Sequence, residues 1–298
     1  MYNLCFVINK NYIGQFKVTF HSIVLNNLDK EFNVNIIESD LEESDKNDIL
    51  GFVKKFNSIV NFYDVDNTWF VNSSHMESDN SYTTYYKIFI FKYLSHLDRV
   101  LYLDCDMVID GDISSLYNIE TNKLLTVVKD YEVMNSDKKY IYSLIDKGTK
   151  YFNAGMILFN FYEGFENDVN LDNIKDYLLN NSKNLHMHDQ DIFNHFFNKN
   201  AYFINSKYNY FTIYKSVLQY IFPIHFKKGI VIHYVGKKPW VSGYIGLYYK
   251  KYKKYYDKTK EISNISFFEK RKFKDTLKMY FVMLDMRIKR DIKRLLHM

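Results

Sequence analysis

Proline, glycine and cysteine are scarce in this chain. Its 298 residues include two prolines, ten glycines and two cysteines, while hydrophobic residues make up 47%. This composition excludes a disordered or fibrous protein, and the length suits one large α/β domain or two small ones. Cys5 and Cys105 each lie in an apolar, strand-like run, where a free buried thiol is the ordinary state. A disulfide framework is therefore not expected.

Long apolar runs are missing as well. No apolar stretch approaches the ~20 residues that a helix needs to span a bilayer. The apolar run at residues 1–8 lacks a preceding cationic flank and a small-residue cleavage site, so it predicts a first strand and not a signal peptide. We expect a cytoplasmic protein, with peripheral attachment to the inner face of the cell membrane as a further expectation.

Positive charge is concentrated at the C-terminus. Residues 250–298 contain 16 Lys and Arg against 6 Asp and Glu, a net charge of +10. Since the whole chain has a net charge of +5, residues 1–249 carry −5. The composition changes near residue 241, and 267–296 has the pattern of one or two amphipathic basic helices. We therefore predict a catalytic domain at 1–240 and a basic, aromatic helical region at 241–298.

The cations of this tail are interspersed with aromatic residues at 250–256 and 270–274. Such a pattern suits an anionic membrane surface, and a solvated basic helix in an oligomer contact is the alternative. Nothing else in the chain resembles a nucleic-acid-binding module, so nucleic acid is not expected as a partner.

Apolar runs of strand length alternate with longer amphipathic segments along the first half of the chain. The predicted strands are 2–8, 33–37, 58–63, 99–103, 124–128, 155–160 and 230–234. The predicted helices are 13–27, 42–55, 82–94, 138–147, 171–180 and 189–198. This alternation indicates an α/β fold built from βαβ units and a parallel sheet, with ligands beyond the carboxyl ends of the strands.

Two carboxylates directly follow the strand that ends at Leu103. Asp104 and Asp106 are separated by one residue, so in an extended segment both point the same way while Cys105 faces the core. Two close carboxylates repel unless a proton or cation bridges them, and Mg²⁺ or Mn²⁺ would also bind a diphosphate. Taken alone, turn chemistry explains the pair equally well, because Asp110 and Gly111 form a turn signal just downstream.

Three further motifs follow this pair in a fixed order. They are 152–155 (Phe-Asn-Ala-Gly), 188–191 (His-Asp-Gln-Asp) and 233–240 (His-Tyr-Val-Gly-Lys-Lys-Pro-Trp). Together with the Asp-Cys-Asp segment they resemble the retaining glycosyltransferases of family 8, the group of the lipopolysaccharide galactosyl- and glucosyltransferases and glycogenin. The resemblance covers roughly residues 1–240. It implies the GT-A fold, a single Rossmann-like nucleotide-binding domain with a mixed central sheet, together with Mn²⁺, or Mg²⁺ as an alternative, and a UDP-sugar donor.

The resemblance assigns a metal set and a diphosphate loop. Asp104, Asp106 and His233 would bind the metal, while Gly236 and Lys238 would approach the diphosphate. The family pattern usually has one more residue between this glycine and the lysine, so Lys237 is an alternative to Lys238.

The same resemblance assigns the donor-binding and catalytic positions. The remaining donor-binding positions are Asn9, Asn11, Tyr12, Lys87, Asn153, Ala154 and Gly155. Asn9 stands where an acidic residue is common, and Lys87 replaces a family Arg. The catalytic candidates are Asp130, Asp189 and Gln190.

Retention at the anomeric carbon follows from the resemblance alone. A double displacement needs a carboxylate nucleophile, for which Asp130, Asp189 and Asp191 are candidates. The alternative is front-face attack assisted by the leaving diphosphate, with Gln190 or a backbone carbonyl steadying positive charge. We favour front-face attack.

The predicted function is transfer of glucose or galactose from a UDP-sugar to a glycan, glycolipid or glycosylated-protein acceptor. Two other functions stay open at this point. Asp104, Asp106 and Val108 also fit the Asp-x-Asp-x-Val start of Mg²⁺-dependent phosphatases of the haloacid dehalogenase type. A catalytically degenerate nucleotide-sugar-binding protein is the second.

Overall fold

The computed structural model describes residues 1–70, 82–134, 138–212, 229–244 and 248–270, together with part of 272–288. Half of the residues of the helical segment predicted over 267–296 lie outside these residues. No helix within the described ranges is both long and apolar enough to cross a bilayer.

Ten strands are described within these ranges. They are β1 (Tyr2–Val7), β2 (Phe32–Glu38), β3 (Ile59–Asp64), β4 (Arg99–Leu103), β5 (Met107–Ile109), β6 (Leu125–Lys129), β7 (Phe152–Asn160), β8 (Ala201–Ile204), β9 (Tyr210–Phe211) and β10 (Val231–His233). Seven of them form the main sheet in the order β3-β2-β1-β4-β7-β6-β8, and β5-β10-β9 form a small second sheet.

The α-helices in the described part of the chain range from single turns to four turns. They are α1 (Ile13–Leu25), α2 (Glu43–Lys54), α3 (Ile90–Tyr93), α4 (Ser114–Tyr117), α5 (Tyr131–Met134), α6 (Lys138–Leu144), α7 (Leu171–Asn181), α8 (Asp189–Phe197) and α9 (Tyr249–Ile262). Short 3-10 helices occur at Lys10–Tyr12, Asn67–Phe70, Tyr82–Phe89, Phe165–Asp168, Ser182–Asn184, Asn198–Asn200 and Ser206–Tyr208.

The main sheet is mixed, whereas the alternating pattern by itself predicted a parallel one. Strand β7 runs antiparallel to both neighbours, β4 and β6, and the other pairs of this sheet are parallel. All nine residues of β7 are buried, and a continuous apolar run carries no information about strand direction. The predicted strand 155–160 begins three residues earlier, at Phe152.

A register shift opens the ladder near the start of β7. Val127 pairs with Ile157 but Val128 pairs with Asn153, so Ala154, Gly155 and Met156 have no partner on β6. Bulges of this kind redirect the backbone locally and are common next to active sites. Here the bulge carries the Asn-Ala-Gly segment to the carboxyl end of β4.

The other differences from the predicted elements concern short segments. The predicted helix 82–94 is a 3-10 helix, Tyr82–Phe89, that continues as α3. The strands β5, β8 and β9 were not predicted, because segments of three, four and two residues are too short for a periodic pattern.

The basic segment after residue 248 begins with a helix that packs on the sheet domain. Tyr252, Tyr255 and Tyr256 of α9 are buried in a cluster with Val18 of α1 and Ile232 of β10. The asymmetry of α9 explains this packing, because its tyrosines lie on one face and its lysines on the other. A domain boundary between residues 240 and 241 stays a prediction.

Candidate functional site

Asp104 and Asp106 lie where the chain passes from the main sheet to the small one. The segment is fixed at both ends, because Asp104 N donates to Gly155 O at 2.8 Å and Tyr234 N donates to Asp106 O at 2.9 Å. Cys105 between them is buried in the core, as predicted. The carboxylates therefore lie beside the bulge of β7 and the end of β10.

His233, the last residue of β10, completes a group that suits a divalent cation. One ligand atom each from Asp104, Asp106 and His233 lies within 4.8 Å of the others. Within the described structure, Asp106 Oδ1 is buried without a hydrogen-bond partner, although His233 Nε2 is 3.2 Å away. Two carboxylates and an imidazole form a reasonable donor set for Mn²⁺.

Gly155 keeps this group open. A Cβ atom built at this position would lie 2.5 Å from His233 Cε1 and 2.7 Å from Asp104 Oδ2, closer than real Cβ contacts. The space between the ligand side chains thus exists because residue 155 has no side chain. The three ligand positions fit the metal that the family implies.

Two lysines adjoin the carboxylates. Lys238 Nζ donates to Asp106 Oδ2, and Lys87 Nζ lies 3.6 Å from Asp104 Oδ1. Burial raises the pKa of the Asp106 carboxyl, but Lys238 and His233 outweigh it and hold that pKa below its usual range. Burial raises the pKa of Asp104. The charge of Lys87 opposes this rise, and the charge of Asp106 adds to it. The pKa values of the two carboxyl groups are therefore shifted in opposite directions.

Lys87 is held by the site and connects the metal group to α8. It is 3% exposed, and its Nζ donates to Ala154 O at 3.0 Å and pairs with Asp189 Oδ2 at 2.7 Å. The other oxygen of Asp189 accepts from the Thr84 hydroxyl at 2.7 Å. These contacts place Asp189 next to the metal ligands at the first turn of α8.

A second polar group consists of Asn153, Gln190 and Asp130. We call these the sugar-side residues because the resemblance would place the donor sugar beside them. Asn153 Nδ2 donates to Gln190 Oε1 at 2.8 Å and lies 3.3 Å from Asp130 Oδ2. Gln190 Nε2 donates to the same Asp130 oxygen at 3.2 Å, and Ala154 N donates to Gln190 Oε1 at 3.1 Å. All three side chains are buried. The structure therefore brings together residues that are far apart in the sequence.

The three carboxylates considered as nucleophiles all have both oxygens engaged. Asp130 Oδ1 accepts from the backbone N–H groups of Glu132 and Val133, and its Oδ2 accepts from two amides. Asp191 is fully buried and accepts from the Tyr140 and Tyr151 hydroxyls, each at 2.5 Å. Together with the contacts of Asp189, this arrangement does not favour any of them as the nucleophile.

Asp191 instead holds a strained turn before α8. His188 has φ 52° and ψ −123°, a conformation that residues with a side chain rarely adopt. Asp191 Oδ2 also accepts from Met187 N at 2.7 Å, so the carboxylate fixes the backbone just before the strained residue. This turn places Asp189 and Gln190, which follow directly.

A cleft of about 290 Å³ opens next to the carboxylates. Asn9, Tyr12 and Lys238 line it together with Asp104 and Asp106. Six other predicted donor-binding residues are not among the residues that line the cleft: Asn11, Lys87, Asn153, Ala154, Gly155 and Gly236. The backbone N of Asn11 donates to Asn9 Oδ1 at 3.1 Å. Gly236 has φ 73°, and a Cβ atom built at this position would have no neighbour within 4 Å.

The contacts of Lys237 and Lys238 show which of these two lysines faces the carboxylates. Lys238 reaches Asp106 and lines the cleft, whereas the Nζ of Lys237 lies 3.1 Å from a Cβ built at Gly243. Lys238 is thus the lysine that faces the carboxylates.

Three polar residues of the site were not found from the sequence. The Tyr102 hydroxyl donates to Asp104 Oδ1 at 2.5 Å, Thr84 contacts Asp189, and Asn209 contacts both His233 and Asn153. Tyr102 lies two residues before Asp104 in an extended segment, so the period of two indicates a shared face. The sequence around Thr84 and Asn209 carries no comparable signal.

Comparisons with known proteins agree with this geometry. The family model described as "Glycosyl transferase family 8" matches residues 3–243. A putative glycosyltransferase of Haemophilus influenzae is 26% identical over 237 residues, which are 78% of this chain and 71% of that protein. The lipopolysaccharide 1,3-galactosyltransferase of Salmonella typhimurium is 28% identical over 252 residues, 81% of this chain and 73% of that protein.

Solved structures show the same fold. The galactosyltransferase LgtC, crystallised with donor and acceptor sugar analogs, has a TM-score of 0.73 at 20% identity, over 86% of this chain and 95% of that chain. The glycosyltransferase GlyE of Streptococcus pneumoniae has a TM-score of 0.65 at 17% identity, over 98% of this chain and 65% of that chain.

Proposed function

The chain belongs to glycosyl transferase family 8 and is a glycosyltransferase, and from that premise we propose that it transfers glucose or galactose from a UDP-sugar in a Mn²⁺-dependent reaction with retention. The observation that carries the proposal is the group of Asp104, Asp106 and His233 beside a cleft lined by Asn9 and Tyr12. The predicted mixed α/β fold of the GT-A type is confirmed by the likeness to LgtC.

The two other functions considered from the sequence are not favoured. In haloacid-dehalogenase-type phosphatases the Asp-x-Asp motif follows the first strand, whereas three described strands precede β4 here. Residues 3–243 match the glycosyltransferase family model, which gives no support to a phosphatase. The polar groups of a complete site are present, which argues against a degenerate binding protein.

Asp104, Asp106 and His233 would hold the metal, and the bound ion would supply positive charge to the departing diphosphate. Lys238 lies against Asp106 and lines the same cleft, so it is the protein's own cation for that charge. Lys87 is engaged with Asp104 and Asp189, and its role is to keep these carboxylates in place.

For retention, the contacts support front-face attack. A double displacement needs a carboxylate oxygen free to attack, and each oxygen of Asp130, Asp189 and Asp191 accepts from donors within the protein. We propose that the leaving diphosphate assists deprotonation of the acceptor hydroxyl. Gln190 Oε1, whose position Asn153 and Ala154 fix, steadies positive charge at the anomeric carbon.

We propose that Tyr12 stacks on the uracil base and that Asn9 contacts the base or ribose, since both line the cleft. Asn153, Ala154 and Gly155 contact the donor sugar from the bulge of β7. Asn11 and Gly236 lie in loops next to residues that line the cleft, and we propose that they contact the donor from there.

The acceptor is proposed to be a glycan or glycolipid at the cytoplasmic face of the membrane. Relatives of this chain include the lipopolysaccharide 1,3-galactosyltransferase of Salmonella typhimurium. On α9, Lys250, Lys254 and Lys258 are exposed at a spacing of four residues, so they share one face of the helix. Such a face suits anionic lipid head groups.

The direct test is a panel of nucleotide-sugars with Mn²⁺, scored for donor hydrolysis without an acceptor. We expect turnover of UDP-glucose or UDP-galactose and loss of this turnover in Asp104→Asn and Asp106→Asn. Activity that survives in both variants would refute the metal assignment, and phosphate release from simple phosphomonoesters would support the phosphatase instead.

A further inference from the structure

Asn209 lies between the metal group and the sugar-side residues, and no role follows for it from the sequence. It is 2% exposed and comes between the 3-10 helix Ser206–Tyr208 and β9. Its amide makes one contact on each side: Oδ1 lies 2.9 Å from His233 Nδ1, and Nδ2 lies 2.9 Å from Asn153 Oδ1.

The directions of the hydrogen bonds that connect Asn153, Asn209 and His233 follow from one backbone group. Gly155 N–H points at Asn153 Oδ1 at 3.0 Å, so that atom must be the acceptor oxygen of the Asn153 amide. Asn209 must then present its NH₂ group to the same oxygen. Its own oxygen consequently faces His233 Nδ1.

An amide oxygen cannot donate, so His233 Nδ1 must carry the proton of the bond to Asn209. In a neutral imidazole the other nitrogen, Nε2, then has its lone pair free. Nε2 is the atom that faces Asp106 Oδ1, at 3.2 Å. The orientation of one buried amide thus determines which nitrogen of His233 is available to a metal.

On its other side, Asn209 is connected to the sugar-side residues through Asn153. Asn153 uses its NH₂ group for Gln190 Oε1 and Asp130 Oδ2 because Gly155 and Asn209 occupy its oxygen. If the Asn153 amide rotated by 180°, its NH₂ group would face two donors. Asn209 therefore contributes to the orientation of Gln190 as well.

We propose that Asn209 is a positioning residue with two effects: it fixes the metal-binding tautomer of His233, and through Asn153 it fixes the amide of Gln190. The proposal rests on the proposed function, because the metal is part of that function. Partners of metal-binding histidines typically change metal affinity by about 10–100-fold when they are removed.

Two substitutions separate the two effects. Asn209→Asp keeps an acceptor for His233 Nδ1–H but places a second acceptor against Asn153 Oδ1. We expect Mn²⁺ affinity within about threefold of wild type, with donor hydrolysis reduced by about tenfold or more. Asn209→Leu removes both hydrogen bonds, so we expect Mn²⁺ affinity to fall by about 10–100-fold and hydrolysis to fall further.

The matched control is Asn160→Leu. Asn160 is a buried amide at the other end of β7, where its Nδ2 donates to Lys123 O and Thr126 Oγ1, both at 3.3 Å. Its replacement should lower stability and leave Mn²⁺ affinity unchanged. The comparison therefore corrects for the general cost of removing a buried amide.

Two readouts do not depend on turnover. Mn²⁺ affinity is measured by calorimetry, and the tautomer of His233 by ¹⁵N NMR of the metal-free protein, with His233→Gln to assign the signal. We expect a proton on Nδ1 in the wild type and in Asn209→Asp, and a change of tautomer in Asn209→Leu. A wild type that binds no Mn²⁺ would refute the proposed function. Mn²⁺ affinity and tautomer unchanged in folded Asn209→Leu would overturn this inference alone.

Discussion

Two polar regions of this chain are stabilised in different ways. The buried network is formed by Asp130, Asn153, Gln190, Asn209 and His233, and most of its polar atoms have a directed partner. The lysine face of α9, formed by Lys250, Lys254 and Lys258, is exposed and projects charge into solvent.

The difference shows where geometry matters. Buried amides are oriented by specific donors and acceptors, so a displaced atom leaves an unsatisfied group in a region of low dielectric constant. Exposed cations act through a field that salt screens within about 10 Å, and no single position is decisive. Substitutions in the network should therefore change chemistry strongly, and substitutions on the lysine face should leave it nearly unchanged.

The largest effect is expected for Gly155→Ala at the edge of the network. The added methyl would meet His233 Cε1 and Asp104 Oδ2, so the metal ligands must separate. A displacement of this size near the reacting groups costs about 100-fold in turnover. Donor hydrolysis at saturating Mn²⁺ measures it.

Gly51→Ala is the control for that substitution. Gly51 lies on α2 with nothing within 4 Å of a Cβ atom, so the change should stabilise the helix by up to about 1 kcal/mol and leave turnover unchanged. Equal activity of the two alanine variants would contradict the claim that Gly155 keeps the metal site open.

A smaller effect is expected when the turn before α8 is released. Asp191→Ala leaves Met187 N–H and the Tyr151 hydroxyl without the acceptor they have now, and the Tyr140 hydroxyl keeps Asn184 O as an acceptor. The strained His188 can then relax. We expect turnover to fall by about tenfold and the free energy of unfolding to fall by about 2–3 kcal/mol. Both are measured on the same preparation, by hydrolysis and by urea unfolding.

A second substitution shows whether the strain is responsible. Glycine adopts φ 52° more readily than histidine does, so adding His188→Gly to Asp191→Ala should restore part of the lost turnover. If His188→Gly lowers turnover further in both backgrounds, the side chain of His188 has its own role and the turn is not the cause.

A third prediction concerns the buried side of α9, opposite the lysine face. Burial, with the nearby Lys258, lowers the pKa of His21 from 6.5 to about 4. The unfolded chain therefore takes up a proton below about pH 6.5 that the folded chain binds only near pH 4. Stability should fall as the pH drops through this window, by up to about 3 kcal/mol.

The variant His21→Asn keeps a donor for Thr259 Oγ1, which lies 3.0 Å from His21 Nδ1, but does not titrate. The difference in unfolding free energy between wild type and variant should change between pH 7 and pH 4.5. A constant difference across that range would show that His21 does not contribute to acid sensitivity.

The smallest effect on chemistry is expected for the lysine face itself. Replacing Lys250, Lys254 and Lys258 with Gln should leave donor hydrolysis within about twofold of wild type, because salt screens exposed charges. Binding to vesicles of anionic lipid should weaken by about tenfold or more, since each such lysine contributes about 1 kcal/mol near the surface.

The triple Lys→Arg variant is the control, since it keeps the charge. Retained vesicle binding in the Gln variant would show that the lysine face is not the membrane contact. A change in oligomeric state with unchanged vesicle binding would indicate an interface between copies of this chain.

How far the sequence predicts the site depends on the kind of contact involved. The pairing of Asp104 with Asp106 follows from the period of two in an extended segment. Bringing His233 and Gln190 to them required the resemblance to a family, because these residues are far apart in the chain. The bulge of β7 and the role of Asn209 depend on hydrogen bonds between residues more than 20 positions apart, which no local pattern encodes.

The most direct test of the central claim is equilibrium binding of Mn²⁺, measured by calorimetry with and without UDP, in the wild type, Asp104→Asn and Asp106→Asn. The account predicts a single Mn²⁺ per chain, bound more tightly when UDP is present, and an affinity reduced by about 100-fold or more in each variant. Equal Mn²⁺ affinity in all three proteins, or full donor hydrolysis by the wild type in excess chelator, would contradict it.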